Sequence, residues 1–419
     1  MRLLRVPGFA ALLAGQSVNA VGNWVAIIAI WGFAAFRFDA GAGDLAALFV
    51  VLSVPGALLG PLLGVPIDRL GPRRTLVLAN LLGVLDALAL TQAGSYEAII
   101  VLALPLGLIE ALATASVDAL PPRLVGDDDL VAANALLGAS EDFAIVVGPV
   151  VAAGVNAMWG LPGAFAVDAA TFAVGAAVAA RLDVAPVVQG GGGDRSTWRE
   201  VGEGARLAWR TRGLRWTFAV VVATYAVWGV FGVLEPLYVR DVLGQPDTTF
   251  ALIQTVFGLG LVGAGLVLAT RGQALARPRV VAAATVVSGA AAVVYIGTRS
   301  LVVALIGVFF WGACVGFFSA PAKTLLQRYT PVAAHGRILS INQSLEPLSD
   351  LVVTPLAALA LVGADVRLVG VGAGAVLAAA GLVALVTAHR LGPLPPPAAG
   401  DPGAGTSRDA VALGGPAPG

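Results

Sequence analysis

Apolar residues occur along this chain in blocks of about 20, the length an α-helix needs to cross a bilayer, and short polar clusters divide the blocks. Twelve blocks can be marked: 9–36, 45–67, 75–94, 97–120, 131–158, 163–182, 216–239, 249–270, 279–298, 301–322, 338–361 and 364–388. The pattern predicts an all-α membrane protein with 12 transmembrane helices. The longest interruption, about 183–215, divides them into two six-helix bundles. It opens with Pro186 and glycines at 190–193, a linker composition. Trp198, Val201, Ala205, Ala208 and Trp209 then share one helical face, with Arg199, Glu200, Glu203, Arg206 and Arg210 off it. That is the pattern of an amphipathic helix lying on a membrane surface. The expected organisation is a first bundle over 1–182, a linker over 183–215, a second bundle over 216–390 and a disordered Pro/Gly/Ala-rich tail over 391–419.

Composition agrees with the pattern. Hydrophobic residues make up 58% of the 419 positions and charged residues only 12%, against roughly 25% charged in soluble domains. Mean hydropathy is +0.89. Net charge is zero, so overall charge says nothing about nucleic acid or acidic ligands. The one cysteine, Cys314, leaves no internal disulfide. The start, Met-Arg-Leu-Leu-Arg, resembles a signal peptide, but the apolar stretch after it lacks a small-residue cleavage site and reads as an uncleaved first span. Arginine sets the orientation. If the N-terminus is inside, only Arg37, Arg240, Arg299 and Arg367 fall on the outer side, and the other 21 of the 25 Lys+Arg residues fall inside. This predicts a multi-pass protein of the inner (plasma) membrane with both termini cytoplasmic.

Several carboxylates sit at membrane depth with no Lys or Arg beside them, although a charge there costs about 2.5–3.5 kcal/mol on insertion scales. Glu110, Thr114 and Asp118 recur at four-residue steps. Asn134, Glu141 and Gly148 recur at seven. Gln16, Asn19 and Asn23 form a third stripe, and Gln343, Glu346 and Asp350 a fourth. A polar stripe on an apolar helix faces a wet cavity or another helix, not lipid. Acids in a low-dielectric cavity suit proton coupling, which makes Glu110, Glu141, Glu346 and Asp350 the coupling candidates. Gln16, Asn19, Asn23, Thr114, Asp118, Gln343 and Glu235 are the cavity candidates. The bland reading of each is a hydrogen bond between helices. Asp86 and Asp168 are further acids at this depth. Trp24, Trp31, Tyr225, Trp228, Phe309, Phe310 and Trp311 serve either an apolar cargo or packing. An acidic cavity without bases suits a lipophilic cation better than an anion.

The stretch from Gly64 to Arg74 surfaces between two spans and carries Gly64, Asp68, Arg69, Gly71, Arg73 and Arg74. This spacing resembles the loop between helices 2 and 3 of the major facilitator superfamily. The resemblance extends to Gly15–Trp24 in helix 1, Ala132-Ala-Asn134 and Gly148-Pro149 in helix 5, Asp168-Ala-Ala-Thr-Phe172 in helix 6 and Gly336-Arg337 at helix 11. These resemble the branch holding siderophore exporters and macrolide-type efflux pumps. The resemblance implies two parallel six-helix bundles, with helices 1, 4, 5 and 11 lining the cavity and the helices of Asp86 and Asp168 outside it. It implies that Asp68 acts as a latch on the other bundle and that Gly148-Pro149 is the exporters' helix 5 motif. Position 23 is often Asp in that branch, and here it is Asn23. An echo within the chain agrees: Ser116 to Glu141 and Ser319 to Glu346 each run from one helix through a basic loop into the next.

The function expected is a secondary active exporter of small drug- or siderophore-like molecules, working by proton antiport and alternating access. The alternative is proton-coupled or passive uptake, and a membrane-embedded enzyme is the remote one. Against an enzyme, neither His335 nor His389 lies mid-membrane, and no His-Glu-x-x-His, Gly-x-Ser-x-Gly or Walker motif occurs. No catalytic residue, metal site or cofactor is expected. The expected partners are the lipid bilayer, a small-molecule substrate and protons, with no nucleic acid and a monomeric state.

Overall fold

A computed structural model describes residues 3–126, 129–184, 197–331 and 334–391. They are helical almost throughout, and no strand occurs among them. The long helices are α1 (Pro7–Gly32), α2 (Ala42–Leu70), α3 (Pro72–Leu90) and α4 (Tyr96–Asp118). A 52-residue run, Leu130–Arg181, is broken at Gly160 into α5 and α6 (Pro162–Arg181). After the amphipathic α7 (Thr197–Arg210) come α8 (Arg212–Leu237), α9 (Asp247–Leu275), α10 (Pro278–Gly297), α11 (Leu301–Arg328), α12 (His335–Gly363) and α13 (Val366–Ala388). Nine helices among the described residues are long and apolar enough to cross a membrane, ten if the bent α5 is one span. With α2 and α3 they make twelve rods, consistent with the expected number.

Two details differ from the expected pattern. Blocks 131–158 and 163–182 are joined without a loop. The chain turns at Gly160, whose φ of 67° and ψ of −177° suit glycine alone, and Pro162 opens the next helix where its missing N–H costs nothing. In α7, Trp209 is exposed beneath the Arg215 guanidinium, 6.0 Å from its ring centroid, while Leu207 and Ala208 pack against Leu214, Leu326 and Ile338.

Each rod runs between a near end, where α1 begins and α13 finishes, and a far end. Helices α1 to α6 pack among themselves, as do α8 to α13. The two sets meet where α2 lies on α12 and where the Leu130–Arg181 run lies on α9. A step of 205 residues relates most of the matched helices, with α3 and α10 offset by 206. Moving 205 residues along the chain takes Pro7 to Arg212, Gly32 to Leu237, Ala42 to Asp247, Leu70 to Leu275, Tyr96 to Leu301 and Leu130 to His335. Close contacts obey it too. A Cβ on Gly107 would come within 2.4 Å of the Leu52 carbonyl, and one on Gly312 within 2.0 Å of the Phe257 carbonyl, so both helix pairs touch backbone to backbone. The echo between Glu141 and Glu346 obeys the same step.

The far ends of α1 and α8 repeat in finer detail. Each closes in a wide turn, Phe33–Arg37 and Tyr238–Val242. Phe38 N donates to Phe33 O and Ala40 N to Ala34 O; Leu243 N donates to Tyr238 O and Gln245 N to Val239 O. The left-handed residue that follows is Asp39 (φ 51°) in one set and Gly244 (φ 62°) in the other.

Candidate functional site

The far end joins the two sets. Arg240 Nη1 donates to Ala35 O at 2.7 Å and Ala40 O at 2.9 Å, and pairs with Asp39 at 3.0 Å. Ala35 is the residue 205 positions before Arg240, so the bond sits beside the axis that relates the sets. Asp241 holds the other side of the guanidinium at 2.6 and 3.0 Å. Asn156 Nδ2 donates to Asp247 Oδ2 at 3.2 Å, and Phe36 meets Phe250 with centroids 6.5 Å apart. Nearer the middle, Phe49 of α2 fills the space that a Cβ on Gly232 of α8 would occupy. Toward the near end, by contrast, Thr114, Asp118, Asn134, Glu141, Gln343 and Glu346 are exposed.

The coupling candidates form two groups. In the first, Asn23 Nδ2 donates to Glu110 Oε2 at 2.5 Å, linking α1 to α4. Glu141 of α5 lies within electrostatic reach of Glu110, so three helices converge there. In the second, Glu346 interacts with Asp350 and with the Tyr225 hydroxyl, which also lies beside Asn342. Asp350 Oδ1 is 3.2 Å from the Cβ position of Gly229, and Thr354 Oγ1 donates to Gly229 O at 3.3 Å, which fixes α12 on α8.

Other candidates lie elsewhere. Gln16 and the buried Asn19 line a small cavity with Asn80 and Gly175 on the seam of α1, α3 and α6. Their stripe therefore faces neighbouring helices rather than the groups above. Glu235 is buried beside the Tyr295 hydroxyl, in a far-end aromatic cluster with Tyr238, Phe231 and Trp311. Phe309 and Phe310 are exposed, Trp31 is tilted against Phe49 with ring centroids 4.1 Å apart, and the Tyr225 and Trp228 centroids are 5.3 Å apart.

In the loop after α2, the positions of Gly64 and the Asp68 side chain lie outside what the structure describes, so the contact expected of Asp68 is not seen. Gly71 turns the chain at φ 82°. Arg69 and Arg74 are exposed, and Arg73 donates to the Ala180 carbonyl at the end of α6. The loop is thus anchored within its own set of helices. Gly148 meets Trp24 so closely that a Cβ would lie 2.3 Å from the tryptophan Cβ, so the Gly148-Pro149 site is where α5 presses on α1, and Pro149 is buried.

Residue patterns pass over two features. The Arg240–Asp39 pair joins charges 201 positions apart, each in a turn that reads as an ordinary loop, although the 205-residue register would have paired those turns. Asp168 is fully buried and lies within electrostatic reach of Glu110 on α4 and of Asp86 on α3.

The chain resembles known proteins over most of its length. It is 28% identical over 358 residues to an uncharacterized MFS-type transporter, y4rN, of Sinorhizobium fredii, covering 82% of this chain and 85% of that one. It is 24% identical over 355 residues to macrolide efflux protein A of Streptococcus pyogenes, covering 81% and 86%. Among solved structures, a POT family transporter in complex with a thioalcohol-conjugated peptide superposes with a TM-score of 0.69 at 12% identity, over 92% of this chain and 97% of that one. A bacterial homolog of the human lysosomal transporter Spinster gives 0.66 at 13%, over 92% and 96%. At such identities these structures share the fold. The sequence profile of the Major Facilitator Superfamily matches residues 12–244 and again 216–414. With its paired sets of helices and the repeated profile, this chain belongs to the major facilitator superfamily.

Proposed function

We propose that this transporter exports small molecules by proton antiport with alternating access. The near end is the cytoplasmic side of the inner (plasma) membrane, as the arginine distribution favours. Residues 1–182 and 216–390 then act as the two bundles, 183–215 joins them, and 391–419 is a cytoplasmic tail. The carrying observation is the Asn23–Glu110–Glu141 group on one wall and the Glu346–Asp350–Tyr225 group on the other, with the far end held shut. Acids held at membrane depth in a low-dielectric site are what proton exchange needs. Cargo entering from the near end displaces protons, and reopening at the far end reloads them. The likeness to a macrolide efflux protein favours export of drug-like cargo, and an acidic crevice favours lipophilic cations.

The test is flux in inverted vesicles with and without an imposed proton gradient, using a lipophilic cation such as ethidium. Gradient-driven accumulation supports antiport. Equal flux in both conditions would favour passive movement, and preference for anions would overturn the cargo class.

A further inference from the structure

The two sets meet along two seams, α2 on α12 and α5 on α9. The second seam carries a hydrogen bond between charged and amide groups at its far end. Asn156 Nδ2 of α5 donates to Asp247 Oδ2 of α9 at 3.2 Å, beside a small cavity that both residues border. The other walls are Ala29 and Gly32 of α1, Ala152 of α5, Ala164 of α6 and Phe250 and Ala251 of α9, all buried. Asp247 Oδ1 accepts from the Thr248 N–H at 2.9 Å. Among the described residues Asp247 makes no ion pair. Arg240, the nearest basic residue along the chain, is taken up by Asp39 and Asp241, and Arg37 lies over the Phe33 ring at 5.6 Å.

Closing the far end requires neither this acid nor this gap. The 205-residue step turns one seam into the other. It puts Ala42 at the place of Asp247 and Leu361 at the place of Asn156, and both pack against the apolar core. It exchanges Ala29 and Gly32 for Leu234 and Leu237, and Phe250 for Leu45, and all three leucines are buried. Leu234 and Leu237 are large enough to fill the space that Ala29 and Gly32 leave. The α2–α12 seam therefore closes on apolar side chains. The α5–α9 seam keeps a carboxylate beside a gap, although desolvating a charge is unfavourable and an apolar pair avoids it. A role in closure alone does not account for Asp247.

We propose that this gap is an exit-side site for a lipophilic cation, with Asp247 as its counter-ion and Phe250 as its aromatic wall. Asn156 and Asp247 belong to different sets. Separating the sets at the far end draws the amide off Asp247 Oδ2 and widens the gap in the same movement. The carboxylate then lacks its partner from the first set, and an organic cation between the walls supplies the opposite charge. The Phe250 ring adds a face that attracts cations, and the small side chains of Ala29, Gly32 and Ala251 leave room for an apolar body. When the sets close, Asn156 takes Asp247 back and the gap shrinks, which drives the cation outward. The site forms only while the far end is open, so it does not compete with the acids of the crevice. It rests on the reading of the chain as an exporter of cationic cargo and gives that cargo a second stop on the way out.

The experiment is cysteine protection on the full chain in lipid nanodiscs. Ala251→Cys is the reporter, Cys314→Ser removes the native thiol, and Arg240→Ala frees the far end. Maleimide labelling is timed against tetraphenylphosphonium and against tetraphenylborate, an anion of the same shape. Tetraphenylphosphonium is expected to slow labelling, at a half-effect concentration that rises roughly tenfold in Asp247→Asn and returns in Asp247→Glu. Tetraphenylborate is expected to give no protection at those concentrations. Equal protection by the two ions, no protection by tetraphenylphosphonium, or protection unchanged by Asp247→Asn would overturn the site. If Ala251→Cys stays unreactive in this background, the gap does not open and the site falls with it. The comparison of the two ions leaves Asp247 in place, so it decides the matter even if Asp247→Asn fails to fold. Ethidium flux is read separately. Protection without flux in inverted vesicles sinks the export reading and keeps the site, whereas gradient-driven flux without protection removes the site and keeps the export reading.

Discussion

Asp39 holds a left-handed backbone, a conformation that costs an L-residue about 1–2 kcal/mol, while its counterpart 205 residues on is Gly244. The carboxylate gives a reason for accepting that cost, because it meets Arg240 across the axis. The two effects separate by mutation. Asp39→Gly in an Arg240→Ala background, where the ion pair is already lost, is expected to raise stability by about 1 kcal/mol, read as a higher melting temperature in detergent. In the native background the same change should give a smaller gain or a loss, and equal gains in both would mean that the pair contributes nothing. Asn23 invites a similar test. Its amide is the donor seen on Glu110, so Asn23→Leu leaves a half-buried acid without that donor, at a cost of about 1 kcal/mol. The expected outcome is a lower melting temperature, and Asn23→Asp should lower it too if Glu110 is charged at the assay pH.

At the scale of helices and turns, the far-end closure depends on how α1 and α8 finish. The wide turn after α1 presents the Ala35 carbonyl sideways, and Arg240 occupies it from the other set. Arg240→Ala removes a charged donor worth about 2 kcal/mol, which changes the closed-to-open ratio roughly 30-fold. Ala251, which borders the space between the sets and is 2% exposed, is a suitable reporter. In a Cys314→Ser background, Ala251→Cys should react much faster with a membrane-impermeant maleimide once Arg240 is gone, and an unchanged rate would rule out the closure. Gly148 tests the other end of the scale. Gly148→Leu drives a side chain into Trp24 and should abolish folded yield, with partial rescue by Trp24→Ala. Helix existence was readable from apolar block length, because hydrocarbon thickness fixes that length. Gly160 was not readable as a break without a loop, since glycine is equally common inside membrane helices.

The whole molecule is a duplicated scaffold with an unequal distribution of acids, and only part of that was legible in the chain. In the polar stripes, Thr114 and Asp118 of α4, Asn134 and Glu141 of α5, and Gln343 and Glu346 of α12 are exposed, while Gly148 is buried against Trp24; the stripes themselves were legible because a helix that keeps one face polar records it every three or four residues. The stripe of α1 did not separate cavity from neighbour: Gln16 and Asn19 face α3 and α6, whereas Asn23, one turn on, reaches Glu110. Glu235 looked like its fellow acids until Tyr295, 60 residues away, proved to be its neighbour. The duplication also separates the roles of Glu141 and Glu346, which occupy equivalent positions. Glu141 lies within electrostatic reach of Glu110, and Glu110 within reach of Asp168; Glu346 lies within reach of Asp350 and the Tyr225 hydroxyl, with Val315 at the place equivalent to Glu110. On the proposed antiport reading, the proton relay runs through Glu141 and Glu110 of the first wall, while Glu346 and Asp350 set the charge of the second. Glu141→Gln should therefore remove the dependence of flux on the proton gradient, costing tenfold or more of driven transport, in the range for a lost proton-transfer group. Glu346→Gln should keep gradient dependence while weakening cationic cargo relative to neutral cargo, because it removes charge from the wall without a relay. Vesicle flux of one cationic and one neutral substrate, at matched and unmatched pH, separates the two. Gradient dependence lost in Glu346→Gln and kept in Glu141→Gln would assign coupling to the second wall instead.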